Sequence, residues 1–275
     1  MKKLLVPTDF TPVAENAIDQ ACYLAKVANW EVVALNVVSK QDKVKAARAK
    51  VDELAAQKAE QHGVSVEGAI RIGNIFDGIG QAASELHASL IVMGTHGMKG
   101  LQYLTGSHAM KVITNSAVPF IITQAKPVAP EIKNIVMAID LNQESKQMLS
   151  FGVDIARLFN SVIHLFSVKQ SDPFHRTALN RNVGYAKEYL KKEKVKFDIT
   201  IQEDSGNSFS RDVMAYASKV DAQLVTIVNF EEDQIFTMFG SSFEQHMITN
   251  DEQIPVLIVN RKNYGVFEVR QFRMM

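Results

Sequence analysis

Cysteine is nearly absent: Cys22 is the one thiol in 275 residues. A single cysteine excludes an internal disulfide and any metal site built from several thiolates. Cys22 falls at an apolar position of a helical pattern, which reads as a buried structural thiol. Excess charge of either sign is also missing, since thirty Lys and Arg face thirty Asp and Glu. The clustered basic surplus expected of a nucleic-acid-binding domain is therefore not there, and the lysine-rich YLKKEKVKF from Tyr189 reads as a solvated helix end. No apolar run approaches the ~18 residues of a membrane span. The opening MKKLLVPTDF carries two lysines, but its apolar run breaks at Pro7 and Asp9, short of a signal peptide core. These absences predict a cytoplasmic protein without membrane or nucleic-acid partners.

What the chain does have is internal repetition. KKLLVPTDFTPVAENAIDQACYLAKVANWEVVALNVV lines up with KNIVMAIDLNQESKQMLSFGVDIARLFNSVIHLFSV, placing Asp9 on Asp140, Ala21 on Gly152, Ala25 on Ala156 and Val37 on Val168. Gly73-Asn74 pairs with Gly206-Asn207, and Gly106-Ser107 with Gly240-Ser241. Repeats of this kind decide architecture before any local reading does. Two units are predicted, residues 1–126 and 131–262, with the proline-bearing QAKPVAPEIK between them as an extended linker. Residues 263–275 form a tail whose Val266, Val269 and Phe272 suit an added edge strand or partner contact, or a loosely packed terminus.

Within a unit, strand and helix periods alternate. Leu4–Val6, Val32–Val38, Val64–Ile72, Leu90–Met93 and Phe120–Thr123 read as strands, and the second unit repeats the pattern from Asn134 to Asn260. Thr11-Pro12 supplies a cap and a first-turn proline for a helix whose Ala14, Ala17, Ile18, Ala21, Leu24 and Ala25 share one stripe. Further helices are expected over Gln41–Gln61, with Val44, Ala47, Val51 and Leu54 inward and Gly63 closing it, over Asn74–Glu85, and over Gly106–Asn115. Strands alternating with helices of this length predict a parallel sheet covered on both faces.

Ligands of such sheets bind beyond the carboxyl ends of the strands, where strand order reverses. Pro7-Thr8-Asp9 follows the first strand and Gly94-Thr95-His96-Gly97 the fourth. Glycines 94 and 97 permit positive φ and close approach of backbone N–H groups to an anion. Gly106-Ser107 opens a helix whose N-terminal dipole favours phosphate, and Lys99 and Lys111 would add positive charge. Each piece alone has a plainer meaning: turn glycines, a helix-entry Asp9, a capping Ser107. Together they describe a phosphate loop with a nucleoside lying towards Asp9. Gly78, Gly80 and Ala83 match a dinucleotide fingerprint only formally, because they lie inside a helix. His96 and His108 lack a carboxylate at ligand spacing, so neither a metal site nor a catalytic set is expected, and any turnover should be slow.

VPTDF, ALNVV and VMGTHG…LTGS…KVITNSAVPFIIT together resemble the universal stress protein family, in a tandem form covering nearly the whole chain. The resemblance implies two flavodoxin-like (HUP-type) α/β domains, each a five-stranded parallel sheet with helices on both faces. They would pack as a pseudo-dimer through their last strands, Phe120–Thr123 and Val256–Val259. It further implies binding of ATP, or AMP or ADP, with magnesium as an optional companion. Asp9 would hold the adenosine portion and Val37 would lie beside the base. Gly94, Gly97, Gly106 and Ser107 would hold phosphates, with Pro7, Thr8, Met93 and His96 lining the same site. Family members with an intact motif place nine residues between the second and third glycines, whereas eight lie between Gly97 and Gly106. In the second unit Asp140, Gly240 and Ser241 remain, but Val228 and Glu231 replace the glycines, with Glu232 and Asp233 next in the chain. Like charge and lost backbone freedom oppose a polyphosphate there. The implied role is a stress-response sensor or regulator with an unidentified protein partner, able to form a homodimer of the tandem chain. An interaction or scaffold protein of the same fold without nucleotide is the alternative from another class, and an enzyme of the wider nucleotide-binding α/β group is a third.

Overall fold

The computed structural model describes residues 2–95, 106–229 and 243–260. The expectations for His96, Gly97, Lys99, Glu231, Glu232, Asp233, Gly240, Ser241 and the tail valines and phenylalanine lie outside those residues, as do the side chains of Gly106 and Ser107.

The first half contains β1 (Lys3–Pro7), α1 (Pro12–Ala28), β2 (Glu31–Val38), α2 (Val44–His62), β3 (Val66–Ile72), α3 (Ile75–Glu85), β4 (Ala88–Gly94), α4 (Gly106–Thr114) and β5 (Phe120–Thr123). The second contains β6 (Asn134–Ala138), α5 (Met148–Phe159), β7 (Val162–Val168), α6 (Pro173–Lys192), β8 (Lys196–Gln202), α7 (Phe209–Lys219), β9 (Leu224–Asn229), α8 (Phe243–Ile248) and β10 (Val256–Asn260). Local chemistry sets several of the ends where the sequence signals stand. Thr11 Oγ1 accepts the N–H of Ala14 and Pro12 fills the first turn of α1. Both α1 and α5 stop on an asparagine in the left-handed region, Asn29 and Asn160, whose N–H returns to Ala25 and Ala156. Gly63 closes α2 at φ 65°. Two starts shift: residues 41–43 form a 3-10 turn before α2, and Asn74 is the cap of α3 rather than its first residue.

All ten strands form one sheet in the order β3-β2-β1-β4-β5-β10-β9-β6-β7-β8. Every neighbouring pair is parallel except β5 and β10, which run antiparallel with Val256 opposite Ile122, Leu257 opposite Ile121 and Ile258 opposite Phe120. The expected pairing through the last strands is therefore present, and it fuses two five-stranded sheets into one. Side chains of the joint alternate between two cores, Ile121, Leu257 and Val259 on one face and Phe120, Ile122, Val256 and Ile258 on the other. Each core runs continuously from the first half into the second. Burying side chains of this size is worth roughly 1.5–3 kcal/mol apiece, so the joint is held like a protein interior. The linker is also fixed: Asn16 on α1 donates to the carbonyls of Gln124 and Lys126, both at 2.7 Å, and accepts the N–H of Val128.

The two halves fill the same space with different residues. Val6 and Ala21 of the first half occupy the places of Met137 and Gly152 in the second, and all but the glycine are fully buried core residues. A Cβ on Gly152 would lie 2.0 Å from Met137 Cε. The long thioether needs the missing methyl. Cys22 is fully buried, and burial, with Asp19 adding to it, pushes its thiol up to about 12. Because only the flexible tip of Met137 must move, we expect Gly152→Ala to change stability by less than about 1 kcal/mol in the native protein, and to stabilise it by up to ~1 kcal/mol in a Met137→Val background, where only helix propensity is felt. A double-mutant cycle from urea unfolding measures this coupling, and additive effects would exclude it.

Candidate functional site

Strand order reverses between β1 and β4, so the carboxyl ends of those two strands open the crevice expected of a ligand site. The loop leaving β1 is tied down on one side and open on the other. Thr8 is buried; its N–H donates to Leu35 O at 2.8 Å and its carbonyl accepts Asn36 Nδ2 at 2.7 Å. Its hydroxyl accepts the N–H of Phe10. Asp9 is exposed, and its Oδ1 accepts the N–H and hydroxyl of Thr11 at 3.1 and 2.6 Å, leaving Oδ2 available. Phe10 sits at φ 65°, a left-handed conformation that costs a bulky residue about 1 kcal/mol or more. Val37, half-buried near the end of β2, lies against Gly78 on α3. The structure thus brings Pro7, Thr8, Asp9, Val37, Met93 and Gly94 to one edge of the sheet, while His96 and Gly97 are outside the described residues. Lys111 places its ammonium 5.9 Å from the Phe76 ring, which in turn stacks on His108.

Gly94 is required for a reason the sequence does not disclose. The sequence marks it as a turn glycine with positive φ; instead it closes β4 opposite Thr123, and the described glycines at positive φ are Gly63, Gly73 and Gly206. A Cβ on Gly94 would lie 2.4 Å from the Val13 carbonyl oxygen and 2.8 Å from the Val13 carbonyl carbon. The glycine lets the first turn of α1 press against the end of β4. Thr95 then extends the ladder by donating its N–H to Thr123 O.

In the second half that space is filled. Val228, fully buried in β9, stands where Gly94 does. The residues matching the first turn of α1 are a 3-10 segment, Gln143–Gln147, and α5 begins only at Met148. Asp140 keeps its place, with Asn142 N and Nδ2 both at 2.9 Å, but burial raises its carboxyl above the ordinary range. Beside it lies a cleft of about 440 Å3 between the ends of β6, β7 and β8, lined by Asp140, Asp204 and Asp212 against one cation, Lys169. Lys169 is itself paired with Glu203 at 2.7 Å. Asp212 is almost completely buried and accepts the Ser205 hydroxyl, where the first half has Ile79. This lining repels phosphate. Among the described residues no group of three or more His, Cys, Asp or Glu is placed to hold a metal ion, and no helix is long and apolar enough to cross a membrane.

The model of the universal stress protein family matches residues 1–124. A universal stress protein of Methanocaldococcus jannaschii is 31% identical over 139 residues, which cover 45% of this chain and 82% of that protein. The chain belongs to the universal stress protein family. Its fold is shared by a solved universal stress protein of Archaeoglobus fulgidus, with a TM-score of 0.74 at 18% identity over 94% of this chain and 98% of the other. A solved chain from Pseudomonas aeruginosa gives 0.66 at 17% identity over 99% and 96%. At such identities these two likenesses speak to the α/β fold alone.

Sequence inspection of this universal stress protein missed Asn36 and Asn16, which hold the β1 loop and the linker. Both carried a signal: Asn36 is the one polar residue in the interior of EVVALNVV, and Asn16 lies close to the apolar stripe of α1. Two substitutions test the geometry. Gly94→Ala should cost about 2–3 kcal/mol in urea unfolding, since backbone rather than a side-chain tip must yield; an unchanged midpoint would contradict the contact with Val13. Asp140→Asn should stabilise the protein at pH 7 by less than about 1 kcal/mol. Because the native carboxyl titrates higher than the unfolded one, wild type regains stability as pH falls through the raised value. The advantage of the variant should shrink on acidification, as thermal melts from pH 7 to 4 would show.

Proposed function

We propose that the first half of this universal stress protein binds an adenine nucleotide, ATP or its di- or monophosphate, and that the chain serves as a cytoplasmic stress-response sensor or regulator. Residues 1–126 and 131–262 are taken as its two domains. The observation that carries this is the meeting, at the β1/β4 reversal, of an exposed Asp9 with a free carboxylate oxygen and Gly94 at the carboxyl end of β4. An acceptor at the end of β1 suits ribose hydroxyls, and the N-terminus of a helix suits phosphate. Gly97, Gly106 and Ser107 are assigned to the phosphates, Val37 and Met93 to the floor beneath the base and sugar. A magnesium ion, where present, would neutralise phosphate charge; the described residues offer it no carboxylate cluster. The acidic cleft of the second half, with Val228 on the neighbouring strand, is assigned no nucleotide.

The interval of eight residues between Gly97 and Gly106, one fewer than the family motif, favours a second reading in which the pocket is closed and the chain is an interaction protein. Release of adenine nucleotide on denaturing protein purified from cells, together with calorimetric titration by ATP and magnesium, separates the two. Bound nucleotide or a micromolar dissociation constant is expected, and silence at millimolar ATP would overturn the assignment. Gly97→Glu, which imports the residue of the second half, should weaken binding at least ~100-fold, about 2.7 kcal/mol. Glu231→Gly should leave it unchanged, and equal losses would contradict a single site.

A further inference from the structure

Both halves carry the tripeptide Ile-Thr-Asn at the end of the helix that comes after the fourth strand, residues 113–115 and 248–250. The two copies are used differently. Asn250 is buried and caps its own half: its Nδ2 donates to Met247 O at 2.8 Å and Ile254 O at 3.0 Å, and its Oδ1 accepts Ile254 N–H at 2.9 Å. Asn115 is exposed and holds no such position. The end of α4, where Ile113 O accepts the Ser116 N–H at 3.1 Å, is instead reinforced from the other half. Asn260, the buried last residue of β10, donates Nδ2 to Ile113 O and to Ser116 O at 2.9 Å. Its Oδ1 accepts Asn229 Nδ2 at 2.7 Å, and the same Asn229 amide lies 3.3 Å from Thr114 Oγ1 on α4. Helix α8 packs along α4 as well. The exchange is unequal, because Gln124, the counterpart of Asn260, reaches across the joint to Asn250 O alone, at 2.9 Å.

We infer that Asn229 and Asn260 are positioning residues for the first half: the second half grips the C-terminal end of α4 and so fixes where its N-terminus meets phosphate. The inference rests on the nucleotide assignment above and gives the degenerate half a task it performs without a ligand. The physical basis is that one buried amide, Asn260 Nδ2, bonds both the Ile113 carbonyl of the last turn and the Ser116 carbonyl just beyond it, adding to the helix's own Ser116 N–H bond to Ile113 O. Each buried hydrogen bond of this kind contributes about 0.5–1.5 kcal/mol, so α4 would loosen at its C-terminal end once the Asn260 amide is removed. Ligand binding and docking of the second half are then linked, each strengthening the other by the same factor.

The test compares Asn260→Ala and the milder, nearly isosteric Thr114→Val with Gln124→Ala, which breaks a cross-joint bond without touching α4. Dissociation constants for ATP and for adenosine are measured by calorimetry, and amide exchange in α4 by mass spectrometry. Asn260→Ala should weaken ATP about tenfold and leave adenosine within twofold, since adenosine carries nothing to the N-terminus of α4. Thr114→Val should act in the same direction by a smaller factor, and Gln124→Ala should move neither ligand. Exchange in α4 should quicken in the first two variants and not in the third. Equal weakening of ATP and adenosine, or a lowered melting temperature with ATP affinity and α4 exchange unchanged, would overturn the inference. Should the wild-type chain bind neither ligand, the nucleotide assignment falls, and α4 exchange still decides whether the second half acts as a brace.

Discussion

The antiparallel pairing of β5 with β10 is the constraint on which the rest of the molecule depends. Three residue pairs bring two parallel sheets edge to edge, and the side chains of those pairs belong to two cores, one on each face. A sheet edge left open would be a liability for pairing with other chains. Here two edges whose paired residues are all apolar cover each other within one chain. The linker is held by Asn16 and Gln253 so that the strands meet in register. Because the carboxyl ends of β5 and β10 point in opposite directions, the last residues of each half arrive at the helices of the other. That is how Asn260 reaches α4 and Gln124 reaches the end of α8.

The two halves differ by compensated exchanges of volume and charge. Val6 with Ala21 stands against Met137 with Gly152, a swap that moves a methyl-sized space from one element to another and keeps the core full. The exchange of Gly94 for Val228 is not compensated in the same way. The side chain fills the place that the first turn of α1 uses, and the second half answers with a 3-10 segment before α5. The candidate site is thus altered in backbone path as well as in charge, with the buried Asp212 and the raised carboxyl of Asp140 completing the change.

Much of the fold was legible in the order of residues. Alternating apolar runs and helical stripes, with Thr11-Pro12, Gly63 and the prolines of the linker as punctuation, place most elements to within a few residues, because those signals act over a single turn or strand. The shared Gly-Asn and Gly-Ser pairs expose the repeat. Errors fell where a local signal had two meanings. Asn74 favours both a helix and its cap, and a glycine after a strand serves equally as a turn residue or as room for a neighbour. Gly94 proved to be the second kind, which no window of sequence around it could reveal, since its partner Val13 lies eighty-one positions earlier in the chain.

By itself the sequence determined the element order, the family and the residues gathered at the end of β1, all of which come from short-range chemistry and from similarity between segments. Only the tertiary structure decided which asparagines matter. Asn16, Asn36, Asn229 and Asn260 are ordinary polar letters until the fold buries them beside carbonyls from distant parts of the chain, where an amide donor is worth far more than in water. The joint between the halves was foreseeable as a pairing of last strands. That one half would supply the helix end of the other depended on the opposed directions of β5 and β10, a property of the assembled sheet and of no single segment.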